Sequence, residues 1–275
     1  MADVLGYQDR PVVVTGAASG MGEATARLLV ELGAEVTGLD IRPTTAEGAR
    51  SVEVDLRDPR SIDHAAQAVG SPFAIFNCAG LPPGPAFDPL EVMLVNFVGA
   101  RQFIESVVPN MAPGGAIAYV ASAGGLGWQQ QLEVLMPLVQ APSFDAGRKW
   151  CEEHSELIAG AGAYPVSKQV INAWVTWRAF ALFSDHGIRL NGTNPGPTAT
   201  AMMPHFHEAV GQAVVDAAQG PVGRYSTAEE QAWPLIFLNS PLSSYVVGET
   251  VFTDGGFYAA LLHGQLDFSA LMPRE

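Results

Sequence analysis

A glycine-rich turn near the N-terminus is the feature that most constrains the fold of this chain. Residues 10–15 (RPVVVT) are rich in β-branched side chains, as expected of a strand, and residues 20–32 carry alanine and leucine at helical spacing. Between these runs, residues 15–22 read TGAASGMG. Glycine permits a tight turn there and lets an anion approach the free N–H groups at the start of a helix. The pattern predicts a βαβ unit that binds a dinucleotide pyrophosphate, with a merely flexible loop as the alternative.

Strand-like and helix-like runs alternate along the rest of the chain, which is typical of a mostly parallel sheet. We therefore predict an α/β fold: a single doubly wound Rossmann domain over residues 1–275, with a seven-stranded parallel sheet. The predicted strands are 10–15, 35–40, 51–55, 73–77, 116–121, 189–194 and 250–253, and the predicted helices are 20–32, 60–69, 89–110, 164–184, 208–218 and 228–238.

The charge balance excludes several classes of partner. The 14 basic and 28 acidic residues give a formal net charge of -14, which repels nucleic-acid phosphates and anionic membrane surfaces. No run approaches the roughly 20 apolar residues that span a bilayer, and the N-terminus lacks an apolar core of signal-peptide length. Only two cysteines occur, Cys78 and Cys151, so a disulfide framework is not expected. The sequence predicts a soluble cytoplasmic protein with no nucleic-acid or membrane partner.

Asp40, at the end of the second predicted strand, bears on the choice of dinucleotide. A carboxylate at this place can accept hydrogen bonds from the adenosine ribose hydroxyls and repels a 2′-phosphate. This favours NAD over NADP. Arg42, two residues later, could bind such a phosphate and keeps NADP open as the less favoured cofactor.

Tyr164 and Lys168 are four residues apart at the start of a predicted helix, so both side chains can lie on one face. Pro165 is compatible only with the first helical turn, which places Tyr164 near the helix start. A nearby ammonium group would lower the tyrosine pKa from about 10 toward neutrality, where proton transfer is efficient. A surface i,i+4 pair without function is the alternative.

Together these motifs resemble those of the short-chain dehydrogenase/reductase family, and the resemblance covers nearly the whole chain. Asn77-Cys78-Ala79-Gly80 is similar to the family's Asn-Asn-Ala-Gly turn, with cysteine in second place. Further matches in family order are Asp55-Leu56, Asn96, Ser122, the loop 195–200 (PGPTAT) and the strand ending 253–256 (TDGG).

The resemblance implies a catalytic set and a cofactor site. Tyr164 would be the general acid or base, Lys168 would bind the nicotinamide ribose and lower the Tyr164 pKa, Ser122 would hydrogen-bond the substrate oxygen, and Asn96 would hold a water of the proton path. The implied cofactor contacts are Gly16, Ser19, Gly20, Met21, Gly22, Asp40, Ile41, Asp55, Leu56, Asn77, Ala79, Gly80, Tyr164, Lys168, Pro195, Gly196, Thr198 and Thr200.

The distance from Ser122 to Tyr164 departs from the family pattern, because an insert of roughly 30 residues, within about 123–163, separates them. Its position and size resemble those of bacterial 3α-hydroxysteroid dehydrogenase/carbonyl reductases. The insert either lines an apolar substrate pocket or, the interpretation favoured for most of it, packs on the domain or alters assembly as extra helices. Residues 202–207 follow the nicotinamide loop, where the family has a mobile substrate lid. The candidate substrate contacts are Trp128, Met202, Met203 and Phe206.

The resemblance implies an NAD(P)-dependent alcohol dehydrogenase or ketoreductase that acts on a bulky, largely apolar, steroid-like or other cyclic secondary alcohol or ketone. A dinucleotide-sensing protein without turnover is the alternative, and a nucleotide-sugar epimerase fits the glycine spacing less well. No metal site is expected, because no cluster of cysteines or carboxylates completes a set of ligands with His205 and His207. The apolar tail, residues 257–275, suggests packing at a subunit interface or over a neighbouring site. A homodimer or homotetramer is expected.

Overall fold

The computed structural model describes residues 3–266 and contains one seven-stranded parallel sheet with the strand order β3-β2-β1-β4-β5-β6-β7. The doubly wound α/β prediction is confirmed, and the predicted strands agree with the observed ones to within two residues at each end. The strands are β1 Pro11–Thr15, β2 Glu35–Asp40, β3 Arg50–Glu53, β4 Ala74–Asn77, β5 Ala116–Val120, β6 Arg189–Pro195 and β7 Thr250–Thr253.

The central strands β4, β5 and β6 are buried on both faces. Successive side chains of a strand point to opposite sides of the sheet, and packed layers cover both sides. In β5, Ile117 and Tyr119 belong to one apolar core and Ala118 and Val120 to the other. The chain order reverses at the centre of the sheet, where β1 pairs with both β2 and β4. Ligands of such folds bind in the crevice beside this reversal, at the carboxyl ends of the strands.

The helices fill both faces of the sheet, and two of them depart from the sequence prediction. Residues 89–110, predicted as one helix, contain a π-helical turn at Leu94–Val98. The predicted helix 208–218 is wrong: a first helix begins at Met203 and ends at Val210, Gly211 with its φ of 86° interrupts the helical backbone, and a second helix follows. The helices are α1 Gly20–Glu31, α2 Pro59–Val69, α3 Pro89–Met93, α4 Gly99–Val107, α5 Leu132–Val139, α6 Phe144–Glu153, α7 Ser155–Ala161, α8 Ala163–His186, α9 Met203–Val210, α10 Gln212–Ala217, α11 Ala228–Asn239 and α12 Phe257–Leu262.

The insert is helical and packs on the domain. Its helices α5 to α7 bury Leu135, Leu138 and Trp150 in the core on one face of the sheet. The buried guanidinium of Arg101, on α4, donates hydrogen bonds to backbone carbonyls after α5, among them those of Ala141 and Ser143. A cation is favourable near the C-terminus of a helix. Most of the insert therefore serves the packing of the domain, as the favoured interpretation of the sequence had it.

The tail begins as helix α12, in which Phe257 is buried and Leu262 is exposed. The tail residues Phe268, Leu271 and Met272 lie outside the described residues, so interface packing by the tail stays a prediction. Cys78 and Cys151 are both free thiols. Between residues 3 and 266, none of the helices is both long and apolar enough to cross a membrane.

Candidate active site

The glycine-rich turn places the start of α1 at the crevice between β1 and β4. Gly16 has a φ of 69°, and a Cβ added to it would lie 2.7 Å from the Ala79 nitrogen. A Cβ on Gly22 would lie 2.2 Å from the Gly16 carbonyl oxygen, so both positions require glycine. Within the part of the chain that the structure describes, residues 3–266, the side chain of the N-cap residue Ser19 forms no hydrogen bond with the N–H groups of α1. The N–H groups at the start of α1 thus remain open, which suits a dinucleotide pyrophosphate.

Asp40 and Arg42 both lie beside this turn. The Asp40 carboxylate accepts hydrogen bonds from the backbone nitrogens of Ala18, at 3.2 Å, and Arg42, at 3.1 Å. The Arg42 guanidinium is 3.4 Å from the Ser19 hydroxyl. Ile41, which lies between Asp40 and Arg42 in the sequence, is exposed. The carboxylate and the guanidinium that argue for opposite cofactors therefore share one edge of the candidate adenosine site.

The ends of β1 and β4 are tied together next to the turn. The Thr15 hydroxyl donates to the Asn77 side-chain oxygen at 2.9 Å and accepts from the Ala79 nitrogen at 3.1 Å. Asp55 lies beyond β3, where an ion pair with Arg57 at 2.9 Å holds the pKa of its carboxyl below its usual value. Leu56 beside it is buried. Their contact with adenine stays a prediction.

Ser122, Tyr164 and Lys168 meet at the carboxyl end of β5. Ser122 lies two residues after β5, and its hydroxyl accepts a hydrogen bond from the Gly124 nitrogen at 3.0 Å. Tyr164, whose pKa the Ser122 hydroxyl lowers, lies with Lys168 on the first turns of α8. The Lys168 ammonium donates to the Val120 carbonyl at 3.0 Å and lies 5.4 Å from the centre of the Tyr164 ring. The sequence prediction that Tyr164 and Lys168 share one helix face near the helix start is confirmed.

The pKa of Tyr164 moves in the direction opposite to the sequence prediction. Desolvation raises it to about 12, and the hydrogen bond with Ser122 offsets only part of that rise. Burial also lowers the pKa of Lys168 to about 8, because in the described part of the chain this ammonium has no carboxylate partner. The Lys168 ammonium group faces the Val120 carbonyl and the face of the Tyr164 ring. It therefore does not offset the rise in the Tyr164 pKa that burial causes.

Asn96 lies in the π-helical turn, a local irregularity that often occurs at functional sites. Its side chain accepts from the Leu81 nitrogen at 2.6 Å and donates to the Leu81 carbonyl and the Ser167 hydroxyl. Its backbone carbonyl accepts from the Tyr119 hydroxyl at 2.6 Å. Asn96 thereby fixes the loop after β4 against α8, and its part in a proton path stays a prediction. No motif in the sequence indicated Tyr119 or Ser167 as its partners.

The loop after β6 reaches across to the glycine-rich turn. A Cβ on Gly196 would lie 2.9 Å from the Asp254 Cα, so glycine is needed where this loop passes the end of β7. The Thr198 and Ser226 hydroxyls hydrogen-bond each other at 3.0 Å. The Thr200 methyl group lies 3.4 Å from where a Gly20 Cβ would be. Pro195, Gly196, Thr198 and Thr200 are the residues of this loop that the sequence predicts to contact the cofactor, and that contact stays a prediction.

A largely apolar cavity of about 810 Å³ opens from this centre. Its wall includes Ser122, Tyr164 and Lys168. Two segments that sequence reasoning missed also contribute, because only the tertiary fold brings them here: the proline-rich loop 81–89 and part of α10. The end of the insert at 158–162 contributes as well. The apolar lining from these segments and the lid comprises Leu81, Pro83, Pro85, Phe87, Ile158, Ala159, Ala161, Met202, Met203, Phe206, Val210, Val214 and Val215.

Of the predicted substrate contacts, Met202, Met203 and Phe206 line the cavity, whereas Trp128 does not. Gly127, with a φ of 78°, turns the chain so that Trp128 starts a short helical turn and packs against the core. The prediction for Trp128 is therefore corrected. Both ends of the insert contribute to the cavity wall: the start supplies Ala123, Gly124 and Leu126, and the far end supplies residues 158, 159 and 161–163.

His205 and His207, weighed above as possible metal ligands, have other partners. The His205 ring packs against Phe87, and the His207 Nε2 hydrogen-bonds the Tyr225 hydroxyl at 3.0 Å. Both histidines thus connect α9 to neighbouring segments.

Comparison with known proteins matches this chain to two family models. Residues 10–133 match the model described as short chain dehydrogenase, and residues 152–258 match the model described as enoyl-(acyl carrier protein) reductase. A coniferyl-alcohol dehydrogenase of Pseudomonas sp. strain HR199 is 30% identical over 90% of this chain and 96% of its own length. A 3-alpha-hydroxysteroid dehydrogenase/carbonyl reductase of Comamonas testosteroni is 29% identical over 91% and 97%.

Among solved structures, the 3-alpha-hydroxysteroid dehydrogenase of Pseudomonas sp. B-0831, complexed with NADH, superposes with a TM-score of 0.77. It is 24% identical and covers 92% of this chain and 98% of that one. At this identity the likeness concerns the fold. The matched regions of the two family models leave out residues 134–151, which belong to the insert.

Proposed function

The chain belongs to the short-chain dehydrogenase/reductase family, a family of enzymes that bind a nicotinamide dinucleotide, and from this premise we propose its specific activity. It is an NAD-dependent oxidoreductase that interconverts a bulky, largely apolar secondary alcohol and its ketone. One observation carries the proposal: Ser122, Tyr164 and Lys168 line the same apolar cavity as Met21 of the glycine-rich turn and the loop after β6. Groups suited to proton transfer thus lie beside the place that suits the dinucleotide.

When bound, the dinucleotide supplies hydride exchange with the substrate carbon. The residues of the chain supply position and a proton. In the reducing direction the Tyr164 hydroxyl, protonated at neutral pH because its pKa is about 12, donates its proton to the substrate oxygen. Ser122 hydrogen-bonds the same oxygen and Tyr164, and so aligns them. Lys168 holds a positive charge at the base of the cavity that stabilises negative charge developing on the oxygens.

The preference for NAD follows from Asp40. A 2′-phosphate beside the glycine-rich turn would face the Asp40 carboxylate, which already accepts two backbone hydrogen bonds and is fixed in place. Arg42 is exposed and could neutralise only part of that repulsion from its place next to Ser19.

The substrate class follows from the cavity. Its volume of about 810 Å³ falls within the range of about 300 to 1,000 Å³ found for small-molecule sites, and its wall is predominantly apolar. The nicotinamide end of the cofactor would occupy part of this space and leave room for a ring system. The names of two relatives, a dehydrogenase of coniferyl alcohol and one of 3α-hydroxysteroids, agree with an alcohol that carries a ring system.

A homodimer or homotetramer is the assembly we propose. Large apolar side chains remain exposed on α11 and after it, including Trp233, Phe237 and Tyr245, beside the edge strand β7. Exposed apolar patches of this kind favour a protein partner. Light scattering of the purified protein should give two or four chains per particle, and a monomer at micromolar concentration would contradict the assembly.

A turnover screen tests the proposed function. The purified protein is mixed with NAD⁺ or NADP⁺ and with steroid, terpenoid and simple cyclic alcohols, and the appearance of reduced nicotinamide is followed. We expect turnover with NAD⁺ and a ring alcohol. Binding of NAD⁺ without turnover of any alcohol or reduction of any ketone would instead favour the dinucleotide-sensing alternative, which the shared position of Ser122, Tyr164 and Lys168 argues against.

A further inference from the structure

The backbone of Ser122 is bonded to a buried asparagine of the neighbouring strand. The Ser122 nitrogen donates to the Asn194 side-chain oxygen at 3.2 Å, and Asn194 lies near the carboxyl end of β6, beside the end of β5. Because Asn194 is only 1% exposed, this hydrogen bond forms away from water, where it is stronger than at a surface. The start of the turn that carries the serine is therefore held from β6.

Asn194 is itself held by α8. The Asn172 side-chain nitrogen donates to the same Asn194 oxygen at 3.1 Å, and the Asn194 nitrogen lies 3.4 Å from the Thr250 carbonyl of β7. Asn172 is also 1% exposed, and it follows Lys168 by four residues on α8. An amide that accepts on one side and donates on the other has a fixed orientation. The oxygen that receives the Ser122 N–H is thus held between α8 and β7.

The turn after Ser122 packs closely against the same helix. A Cβ on Gly124 would lie 3.4 Å from both the Ser122 hydroxyl oxygen and the Tyr164 ring, and a Cβ on Gly125 would lie 2.8 Å from the Asn172 side-chain nitrogen. The Ser122 hydroxyl also accepts from the Gly124 nitrogen at 3.0 Å. The two glycines let the turn lie directly on α8, so a displacement of the Ser122 nitrogen would move its hydroxyl relative to Tyr164.

We propose that Asn194, oriented by Asn172, is a positioning residue that keeps the Ser122 hydroxyl in reach of the substrate oxygen. The inference rests on the proposed function. Among residues 3–266, the cavity lining includes neither asparagine, so Asn194 acts through Ser122 and not by contact with the substrate. The two amides connect the helix of Tyr164 and Lys168 to the serine, so that the three groups keep one relative position.

The expected effect is on the rate of the chemical step. Misplacement of a reacting group by about 1 Å can lower a rate by as much as about 100-fold. Asn194→Leu replaces the amide with an apolar side chain of similar size and removes the acceptor of the Ser122 N–H. We expect kcat to fall about 10-fold, and KM for the alcohol to change much less, because the apolar lining that binds the ring is intact.

The test is a cycle of four proteins: the intact chain, Ser122→Ala, Asn194→Leu and the double variant. Asn194→Leu should lower kcat about 10-fold in the intact chain and less than about 2-fold in Ser122→Ala, because no hydroxyl is then left to misplace. A merely structural role would give the same factor in both backgrounds. Asn172→Ala, which leaves the Asn194 oxygen in place but frees it to turn, runs the same cycle if Asn194→Leu does not fold.

A second measurement needs no turnover. Each protein is made with 3,5-difluorotyrosine in place of Tyr164, because this phenol titrates at lower pH than tyrosine does, and the titration is followed by fluorine NMR. The hydrogen bond from Ser122 lowers the pKa of Tyr164, so Ser122→Ala should raise the pKa of the phenol. Asn194→Leu should raise it by at least about half as much, and should add nothing in the Ser122→Ala background.

Asn191→Leu is the matched control, since Asn191 is a buried asparagine of the same strand whose side chain instead bonds the Val246 carbonyl and the Glu249 nitrogen. It should lower stability and leave kcat and the phenol pKa nearly unaltered. An unaltered phenol pKa in Asn194→Leu, or equal effects of this substitution with and without the Ser122 hydroxyl, would overturn the proposal. Phenol pKa values in the expected pattern, without oxidation of any alcohol by the intact protein, would contradict the proposed function and leave the positioning of Ser122 standing.

Discussion

The ring of Phe206, on the lid helix, meets the ring of Tyr164 edge to face, with centroids 5.1 Å apart and planes at 89°. A lid residue thus touches the proposed proton donor directly and helps to exclude water from it. Any substrate whose oxygen reaches Tyr164 and Ser122 must share this space with the Phe206 ring. The lid helix therefore contributes both to the low polarity around Tyr164 and to the shape of the cavity.

Phe206 should govern the size of the substrate. Phe206→Ala removes an apolar contact that a bulky ring would use, and we expect the KM for a bulky ketone to rise by the equivalent of about 1 to 3 kcal/mol. The KM for cyclohexanone should change less. Trp128→Ala is the matched control, since Trp128 is an aromatic residue of the insert that packs outside the cavity. It should lower stability and leave the ratio of the two KM values unaltered. Equal effects of Phe206→Ala on large and small ketones would show that the ring-binding wall lies elsewhere.

Lys168 should reduce the stability of the cofactor-free protein at neutral pH. Burial lowers the pKa of its ammonium group to about 8, so the folded protein disfavours a charge that the unfolded chain carries freely. Lys168→Met should therefore raise the free energy of unfolding by about 1 to 3 kcal/mol while it impairs turnover and NAD binding. Lys149→Met, at the only other lysine, changes an exposed residue and should alter neither stability nor activity by much. Denaturant titration measures the free energy of unfolding of the intact protein and of both variants.

The stability difference between the intact protein and Lys168→Met should depend on pH in a defined direction. Below about pH 8 the ammonium is charged in both the folded and the unfolded state, so the penalty is fully present. As the pH rises from about 8 toward the ordinary lysine value of 10.5, the folded state loses its proton first, and the penalty disappears. The gap between the two proteins should thus be largest at pH 7 and close toward pH 10. A gap that stays constant across this range would mean that lost packing, not charge burial, causes it.

Asp40 should set the cofactor preference. Asp40→Ala removes the carboxylate that faces a 2′-phosphate, so the variant should gain affinity for NADPH relative to NADH. The double variant Asp40→Ala/Arg42→Ala should lose much of that gain, because the Arg42 guanidinium beside Ser19 is then no longer available to the phosphate. Fluorescence titration with both cofactors measures the preference. Tighter binding of NADPH than of NADH to the unmodified protein would contradict the role given to Asp40.

Local sequence patterns predicted the strands, the glycine-rich turn and the Tyr164–Lys168 pair, because each depends on residues close together in the chain. The break at Gly211 was missed, since apolar spacing continues across it and only its φ of 86° interrupts the helix. The π-helical turn around Asn96 was missed for a similar reason: the side-chain pattern of residues 89–110 does not reveal which backbone hydrogen bonds form.

The cavity wall was the least predictable part of the site. Trp128 was expected there because it follows Ser122 closely in sequence, but the chain turns away at Gly127, so Leu126 lines the wall and Trp128 does not. The direction of the Tyr164 pKa shift was also missed. The shift depends on how deeply Tyr164 is buried and on the orientation of Lys168 toward the Val120 carbonyl. The spacing of Tyr164 and Lys168 in the sequence predicts neither.

Transfer of an isotope label tests the central claim, that this chain catalyses hydride transfer with Tyr164 as its proton-transfer residue. A ring alcohol found in the screen is prepared with deuterium on its carbinol carbon, incubated with the protein and NAD⁺, and the reduced cofactor is analysed by mass spectrometry. We expect deuterium in the reduced nicotinamide, and with Tyr164→Phe a rate lower by about 10² to 10⁴, the usual share of general acid–base catalysis, while NAD⁺ still binds. Reduced cofactor without deuterium, or equal rates of label transfer by the intact protein and Tyr164→Phe, would contradict the account.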